Sequence, residues 1–99
     1  MAYAMVVLLH TKPGHRDEVT QILETILPRA TEEDGCLAFN VHNSSDDPDL
    51  VWLYEVFTTL EYHDEVHESY VEVKAALEQL PAHLSAPWVV FQGDQVGIL

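Results

Sequence analysis

The sequence predicts an α+β fold in which a four-stranded antiparallel sheet carries two helices on one face. Three observations predict it. Four apolar stretches have strand length, two longer segments between them have the 3.6-residue period of amphipathic helices, and a polar turn separates the second and third strands. The order is therefore βαββαβ, and two right-handed crossovers in that order place both helices on the same side of the sheet.

The start of the chain predicts one strand followed by one helix. Residues 3–10 (YAMVVLLH) are apolar, and Pro13 and Gly14 then break the pattern. From about His15 the apolar residues recur at helical spacing. These are Val19, Ile22, Leu23, Ile26 and Leu27. We expect Pro28 to distort or end this helix, because proline cannot donate a backbone hydrogen bond.

The next two strands, CLAFNVHN and LVWLYEVF, are joined by the turn SSDDPD and predict a hairpin. The second of them is apolar on both faces, since Trp52 and Tyr54 alternate with Val51 and Leu53. An antiparallel sheet with one face in water should instead alternate with polar residues. We therefore expect the face without helices to be covered by a second copy of the chain, in a sheet-to-sheet homodimer.

The second helix is expected to begin at Thr58, because Thr58 and Glu61 have the spacing of a capping box. Its apolar stripe continues to about Leu80, where Pro81 closes it, and WVVFQGDQV supplies the last strand. With 99 residues and no linker or repeat, the chain is expected to form a single domain over residues 1–99.

The composition excludes several classes of partner. Four Lys and Arg against 17 Asp and Glu give a formal net charge of −13. A nucleic-acid-binding protein needs a cationic surface, and anionic membranes are disfavoured for the same reason. No apolar run is long enough to span a bilayer, and the N-terminus has no signal-peptide pattern. The only cysteine, Cys36, cannot form an internal disulfide, so we expect a cytoplasmic protein.

Two histidines four residues apart, His63 and His67, are the first candidates for chemistry. On a helix this spacing places them on one face, beside the apolar stripe. A zinc site would need a third ligand that the sequence does not provide, so we expect no metal. Two interpretations stay open: half-exposed surface residues, or a general acid or base, since histidine titrates near neutral pH.

Glu55 is the one charged residue on the apolar face of the third strand, which it shares with Leu53 and Phe57. A buried carboxylate is costly, so it is either paired, protonated or lining a cavity. Asn40 and His42 form a polar patch on the preceding strand and are expected either to reach the same pocket or to face solvent.

Three stretches resemble the antibiotic biosynthesis monooxygenase family, small dimeric ferredoxin-like α/β-barrel proteins. They are TKPGHRDEV after the first strand, EEDGCLAFNVHNSSDDPDLVWLYEVF through the hairpin, and the histidine-bearing start of the second helix. By this resemblance Glu55 matches the family's strand glutamate, and His67 or His63 matches its helix histidine. Phe57 stands where the family often has Trp or Tyr, and Val7 where haem-degrading members have Asn, so the resemblance disfavours haem degradation.

The resemblance implies a monooxygenase that uses no cofactor and oxidises a quinol-like or polyphenolic small molecule with O2. His67, with His63 as the alternative, would be the base, and Glu55 would orient or share the proton. Leu53 and Phe57 would form pocket walls. The rival interpretation is a non-catalytic dimeric module of the same fold that binds a small aromatic ligand. A third is a structural protein with a vestigial pocket.

Overall fold

The computed structural model describes residues 1–99 and has the predicted α+β, ferredoxin-like architecture. The strands are β1 (Tyr3–His10), β2 (Cys36–Asn43), β3 (Leu50–Phe57) and β4 (Val89–Asp94). They form one antiparallel sheet in the order β2-β3-β1-β4. The hairpin β2–β3 is confirmed, and the first three strands have the predicted bounds.

The first predicted helix is two short helices, α1 (Arg16–Glu24) and α2 (Leu27–Glu32). Pro28 explains both the end of one and the start of the other. In a continuous helix its nitrogen would donate to the carbonyl of Glu24, which proline cannot do, so α1 ends at Glu24. Pro28 itself lies in the first turn of α2, where no helical N–H bond is required.

The second predicted helix is also interrupted, and the expectation of one helix to Leu80 was wrong. Its parts are α3 (Leu60–Glu65), a 3₁₀ turn (His67–Ser69), α4 (Val71–Gln79) and a second 3₁₀ turn (Leu80–His83). The Ser69 hydroxyl donates to the Val66 carbonyl over 2.6 Å, and Tyr70 then has an extended backbone with ψ of 141°. Such local side-chain bonds compete with helix propagation.

The N-cap of α3 is Thr59, one residue later than predicted. The Thr59 hydroxyl accepts the Tyr62 backbone N–H over 3.0 Å, which is the geometry of an N-cap bonding to the third helical residue. The predicted pair, Thr58 with Glu61, is displaced from that geometry by one position.

The two faces of the sheet differ. The inner face packs against α1, α4 and the second 3₁₀ turn, and it buries Val7, Leu9, Val51 and Leu53 together with Val19, Leu23 and Leu80. Each such aliphatic side chain contributes about 1.5–3 kcal/mol by leaving water. The outer face carries no helix: Trp52 and Tyr54 are half-buried, and Phe91 is 62% exposed. No helix combines the length and the apolar character that crossing a membrane requires.

Candidate functional site

A cavity of about 250 Å³ lies between the inner face of the sheet and the helices. Its walls are mainly apolar and include Met5, Leu53, Leu77 and Trp88. An engineered apolar cavity of about 150 Å³ holds benzene, so a cavity of this size has room for a bicyclic aromatic molecule. Glu55 and four residues of α3 and the following 3₁₀ turn supply the ionisable groups of the lining. Those four are His63, Asp64, His67 and Glu68.

His67 is held at the inner end of the cavity by a buried carboxylate. Its Nδ1 lies 2.9 Å from Oε2 of Glu33, and the exposed fractions of the two side chains are 3% and 0%. An ionised carboxylate can only accept a hydrogen bond, so Nδ1 carries the proton. In the neutral ring Nε2 is then an unprotonated acceptor. This nitrogen lies 3.9 Å from Oε1 of Glu55.

Glu33 is itself held by Tyr62, whose hydroxyl donates to the other carboxylate oxygen, Oε1, over 3.1 Å. Burial and this bond raise the pKa of Tyr62 to about 12, so the hydroxyl stays a donor. The Tyr62 ring crosses directly over Gly35, where a Cβ would overlap the ring. Glycine at position 35 therefore lets Tyr62 reach Glu33.

Glu55 enters the cavity from β3 and is buried. Nε2 of His67 lies 3.9 Å from Oε1 of Glu55, which is beyond hydrogen-bond distance. Burial, and to a lesser degree the negative charge of Glu68, raise the pKa of Glu55 from 4.5 to about 7. The carboxyl group can therefore both donate and accept a proton near neutral pH.

The outer part of the cavity is acidic. His63 Nδ1 bonds to Oδ1 of Asp64 over 2.8 Å, and Glu68 lies close to both. One ligand atom from each of these three residues falls within 4.8 Å of the others. One imidazole and two carboxylates are groups that could hold a divalent cation, although the sequence predicts no metal here.

Four of the predicted site residues, Leu53, Glu55, His63 and His67, line the same cavity. His67 is the buried histidine, and His63 stands nearer to solvent. Phe57 does not form a wall as expected. It is fully buried behind the histidines, with its ring centroid 5.0 Å from that of His63 and 4.7 Å from that of His67. It supports both rings from the side of the sheet.

Asn40 and His42 do not reach this cavity, contrary to one of the two expectations for them. They pair across the ladder with Tyr54 and Trp52, which places them on the outer face. The His42 ring stacks on Trp52 with centroids 3.8 Å apart. The physical reason is the strand period of two: Phe39 is on the inner face, so its neighbour Asn40 must point away.

Glu33 is the site residue that the sequence interpretation missed. It lies in the polar stretch TEEDGC, where five consecutive residues are polar or glycine and none stands out by type. Gly35 was the available signal, because glycine is favoured where another group approaches the backbone closely. Cys36 follows it; burial first, then Glu33 and Glu55, raise the pKa of its thiol to about 11, so it stays protonated.

Solved structures share this architecture over nearly their whole lengths. Rv0793 from Mycobacterium tuberculosis has a TM-score of 0.89 at 19% identity, covering 99% of this chain and 98% of that one. A conserved protein from Methanosarcina mazei Go1 has 0.86 at 17%, covering 94% and 91%. A protein from Chloroflexus aurantiacus J-10-fl, provisionally named an antibiotic biosynthesis monooxygenase, has 0.84 at 26%, covering 100% and 97%.

A comparison with curated proteins finds no match. The family model described as antibiotic biosynthesis monooxygenase matches residues 2–79. That match runs from β1 to the end of α4, and so contains Glu33, Glu55, His63 and His67. The chain belongs to the antibiotic biosynthesis monooxygenase family.

Proposed function

We propose that this protein is a cofactor-independent monooxygenase that oxidises a quinol-like or polyphenolic small molecule with O2, acting as a cytoplasmic homodimer. One observation carries the proposal. Nε2 of His67 faces the Glu55 carboxyl group across 3.9 Å at the inner end of a mainly apolar cavity. Membership of the family and the name of the Chloroflexus aurantiacus protein support the reaction class.

His67 is the base. The bond from Nδ1 to Glu33 fixes the ring orientation and leaves Nε2 to accept a proton from a ligand hydroxyl. Once Nε2 is protonated, the Glu33 carboxylate stabilises the positive ring, as the aspartate does in a catalytic triad. A hydroxyl oxygen between Nε2 and Glu55 can contact both groups. The apolar walls exclude water from the ionised ligand.

The proposed reaction needs no external reductant. His67 removes a hydroxyl proton, and the quinolate gives one electron to O2. The radical pair joins at a ring carbon, and the peroxide takes the proton back from His67 to form a hydroperoxide. Loss of the C–H proton at that carbon to His67 then breaks the O–O bond and forms a carbonyl. The departing hydroxide takes a proton from Glu55, which His67 restores, so quinol plus O2 gives hydroxyquinone plus water.

The outer face of the sheet is the proposed dimer interface. Phe91 and Val89 of β4 are 62% and 43% exposed, next to half-buried Val6 and Leu8 of β1. Such an apolar surface is unusual on a monomer. Wild-type protein should sediment as a dimer, and Phe91→Asp should shift it to monomer at micromolar concentration. A wild-type monomer would contradict the interface.

The lone Cys36 supports the cytoplasmic assignment, because a single cysteine cannot form an internal disulfide.

Oxygen uptake with a naphthoquinol tests the reaction. His67→Ala should lower kcat/KM by about 10²–10⁴-fold, the usual contribution of a general base. His15→Ala is the matched control, because His15 pairs with His83 outside the cavity, and it should leave turnover unchanged. His63→Ala should have a smaller effect than His67→Ala.

The rival functions predict different results. Turnover that survives in His67→Ala at the wild-type rate would remove the histidine from the mechanism. Ligand-dependent quenching of Trp88 fluorescence without any oxygen uptake would support the non-catalytic binding module.

A further inference from the structure

The charged groups that line the cavity are all acids or histidines. Asp64 and Glu68 stand at its outer end, and Glu55 stands further in. All four Lys and Arg residues of the chain lie outside the lining. Both arginine side chains are bonded elsewhere: Arg16 donates to the carbonyls of Ser44 and Asp47, and Arg29 pairs with Glu72. A ligand that enters the cavity as an anion would therefore meet the negative charge of these acids, with no Lys or Arg in the lining to offset it.

Glu55 provides independent evidence that this part of the cavity receives a ligand. It is 6% exposed, it lines the cavity, and its carboxyl group has no hydrogen-bond partner, since Nε2 of His67 lies 3.9 Å away. Buried polar groups are normally hydrogen-bonded, and an unpartnered one needs an explanation. A hydroxyl-bearing ligand would supply the missing partner. The charge of Glu68 also raises the pKa of Glu55, so the field of that carboxylate extends to the place where the ligand would bind.

We infer that the cavity admits uncharged and cationic aromatic ligands and rejects anionic ones, and that Asp64 and Glu68 set this selectivity. The selectivity rests on the proposed function in taking the same cavity as the ligand site. Like charges brought together at low ionic strength are a recognised source of discrimination between otherwise similar ligands. With both carboxylates acting, we expect an anion to bind about tenfold more weakly than a neutral molecule of the same shape.

This selectivity has a consequence for the direction of the reaction. A quinol is uncharged near neutral pH, whereas a hydroxyquinone is a vinylogous carboxylic acid and is an anion there. Asp64 and Glu68 therefore leave the substrate unaffected and repel the product. The same two side chains that select ligands by charge would thus speed product release, which often limits turnover in enzymes.

Binding of three naphthalene probes of different charge tests the selectivity without any turnover. The probes are 2-naphthol, 2-naphthoate and 2-naphthylmethylammonium, measured by titration calorimetry in low-salt buffer with a chelator. The wild-type protein should bind the neutral and cationic probes about tenfold or more tightly than the anionic one. The double variant Asp64→Asn with Glu68→Gln should tighten naphthoate about tenfold and change naphthol less than about twofold.

The matched control is Glu61→Gln with Glu65→Gln, which removes the same total charge from exposed positions of α3 outside the cavity lining. It should leave all three affinities within about twofold at this salt concentration. Equal binding of naphthoate and naphthol by wild-type protein would overturn the inference. So would an equal gain in the control variant, because total charge would then be responsible, and so would binding of none of the probes.

The proposed reaction can fail separately from the selectivity. If the probes bind in the expected order but no quinol consumes oxygen, the selectivity holds for a binding module and the monooxygenase proposal is wrong. If oxygen uptake depends on His67 but the probe order is absent, the reaction holds and the role of Asp64 and Glu68 is wrong.

Discussion

His63 and His67 lie four residues apart, and each is paired with a carboxylate through its Nδ1 at almost the same distance. His63 to Asp64 is 2.8 Å, and His67 to Glu33 is 2.9 Å. They differ in contact with water, since the Asp64 side chain is 56% exposed and the Glu33 side chain is 0% exposed. An exposed pair is worth little because water competes for both partners, whereas breaking a buried pair strands a polar group. Burial, rather than bond length, therefore decides what each pair does.

The largest expected difference comes from removing each carboxylate in turn. Glu33→Ala should lower the free energy of unfolding by about 3–5 kcal/mol, because it leaves two donors, the Nδ1–H of His67 and the Tyr62 hydroxyl, without an acceptor, and each costs about 1–3 kcal/mol. Asp64→Ala should change it by less than about 1 kcal/mol, because that pair is solvated. Urea unfolding at neutral pH measures both.

A further variant separates charge from hydrogen bonding in the buried pair. Glu33→Gln keeps an oxygen that can accept from Nδ1 but loses the carboxylate charge. It should lose less stability than Glu33→Ala and still lower turnover, because the protonated His67 ring is no longer stabilised. Equal stability losses in Glu33→Ala and Asp64→Ala would contradict the assignment of different roles to the two pairs.

A smaller effect, visible only as a function of pH, is expected at Glu55. Its pKa is raised from 4.5 to about 7, so the fold favours the protonated form. That contribution is complete below pH 4.5 and is lost as pH rises to about 7. Glu55→Gln should therefore match wild-type stability at pH 4 and exceed it by about 3 kcal/mol at pH 8.

Unfolding midpoints of Glu55→Gln and wild type across that pH range measure the difference. Glu65→Gln serves as the control, because Glu65 is exposed at the end of α3. A stability difference for Glu55→Gln that is constant from pH 4 to pH 8 would show that Glu55 is not a buried titrating group.

The strands and the hairpin could be predicted because they depend on local patterns. Period-two alternation and the turn SSDDPD determine β2 and β3 almost residue by residue. The same alternation should have assigned Asn40 and His42 to the outer face, since Phe39 and Val41 between and beside them are apolar. The helix interruption at His67–Ser69 has no proline or glycine to signal it, and Ser69 alone is too common within helices to predict it.

The site was predicted in part for a similar reason. Glu55 stands out because it is a charge among apolar strand residues, and the two histidines stand out by their spacing. Which histidine is buried depends on Glu33, 34 residues away along the chain. Contacts at that separation depend on how the turn TEEDGC packs against α3. One sequence pattern cannot show this.

The interruption between α3 and α4 divides the cavity lining between two helices with different roles. α3 is six residues long and has no buried residue, yet it carries two of the polar groups at the cavity mouth. α4, on the other side of the 3₁₀ turn, holds apolar wall residues such as Val73 that belong to the core. Substitutions at the cavity-lining residues of α3, His63 and Asp64, can change ligand preference at little cost in stability. This short helix is where relatives could diverge in substrate, and where laboratory evolution should begin.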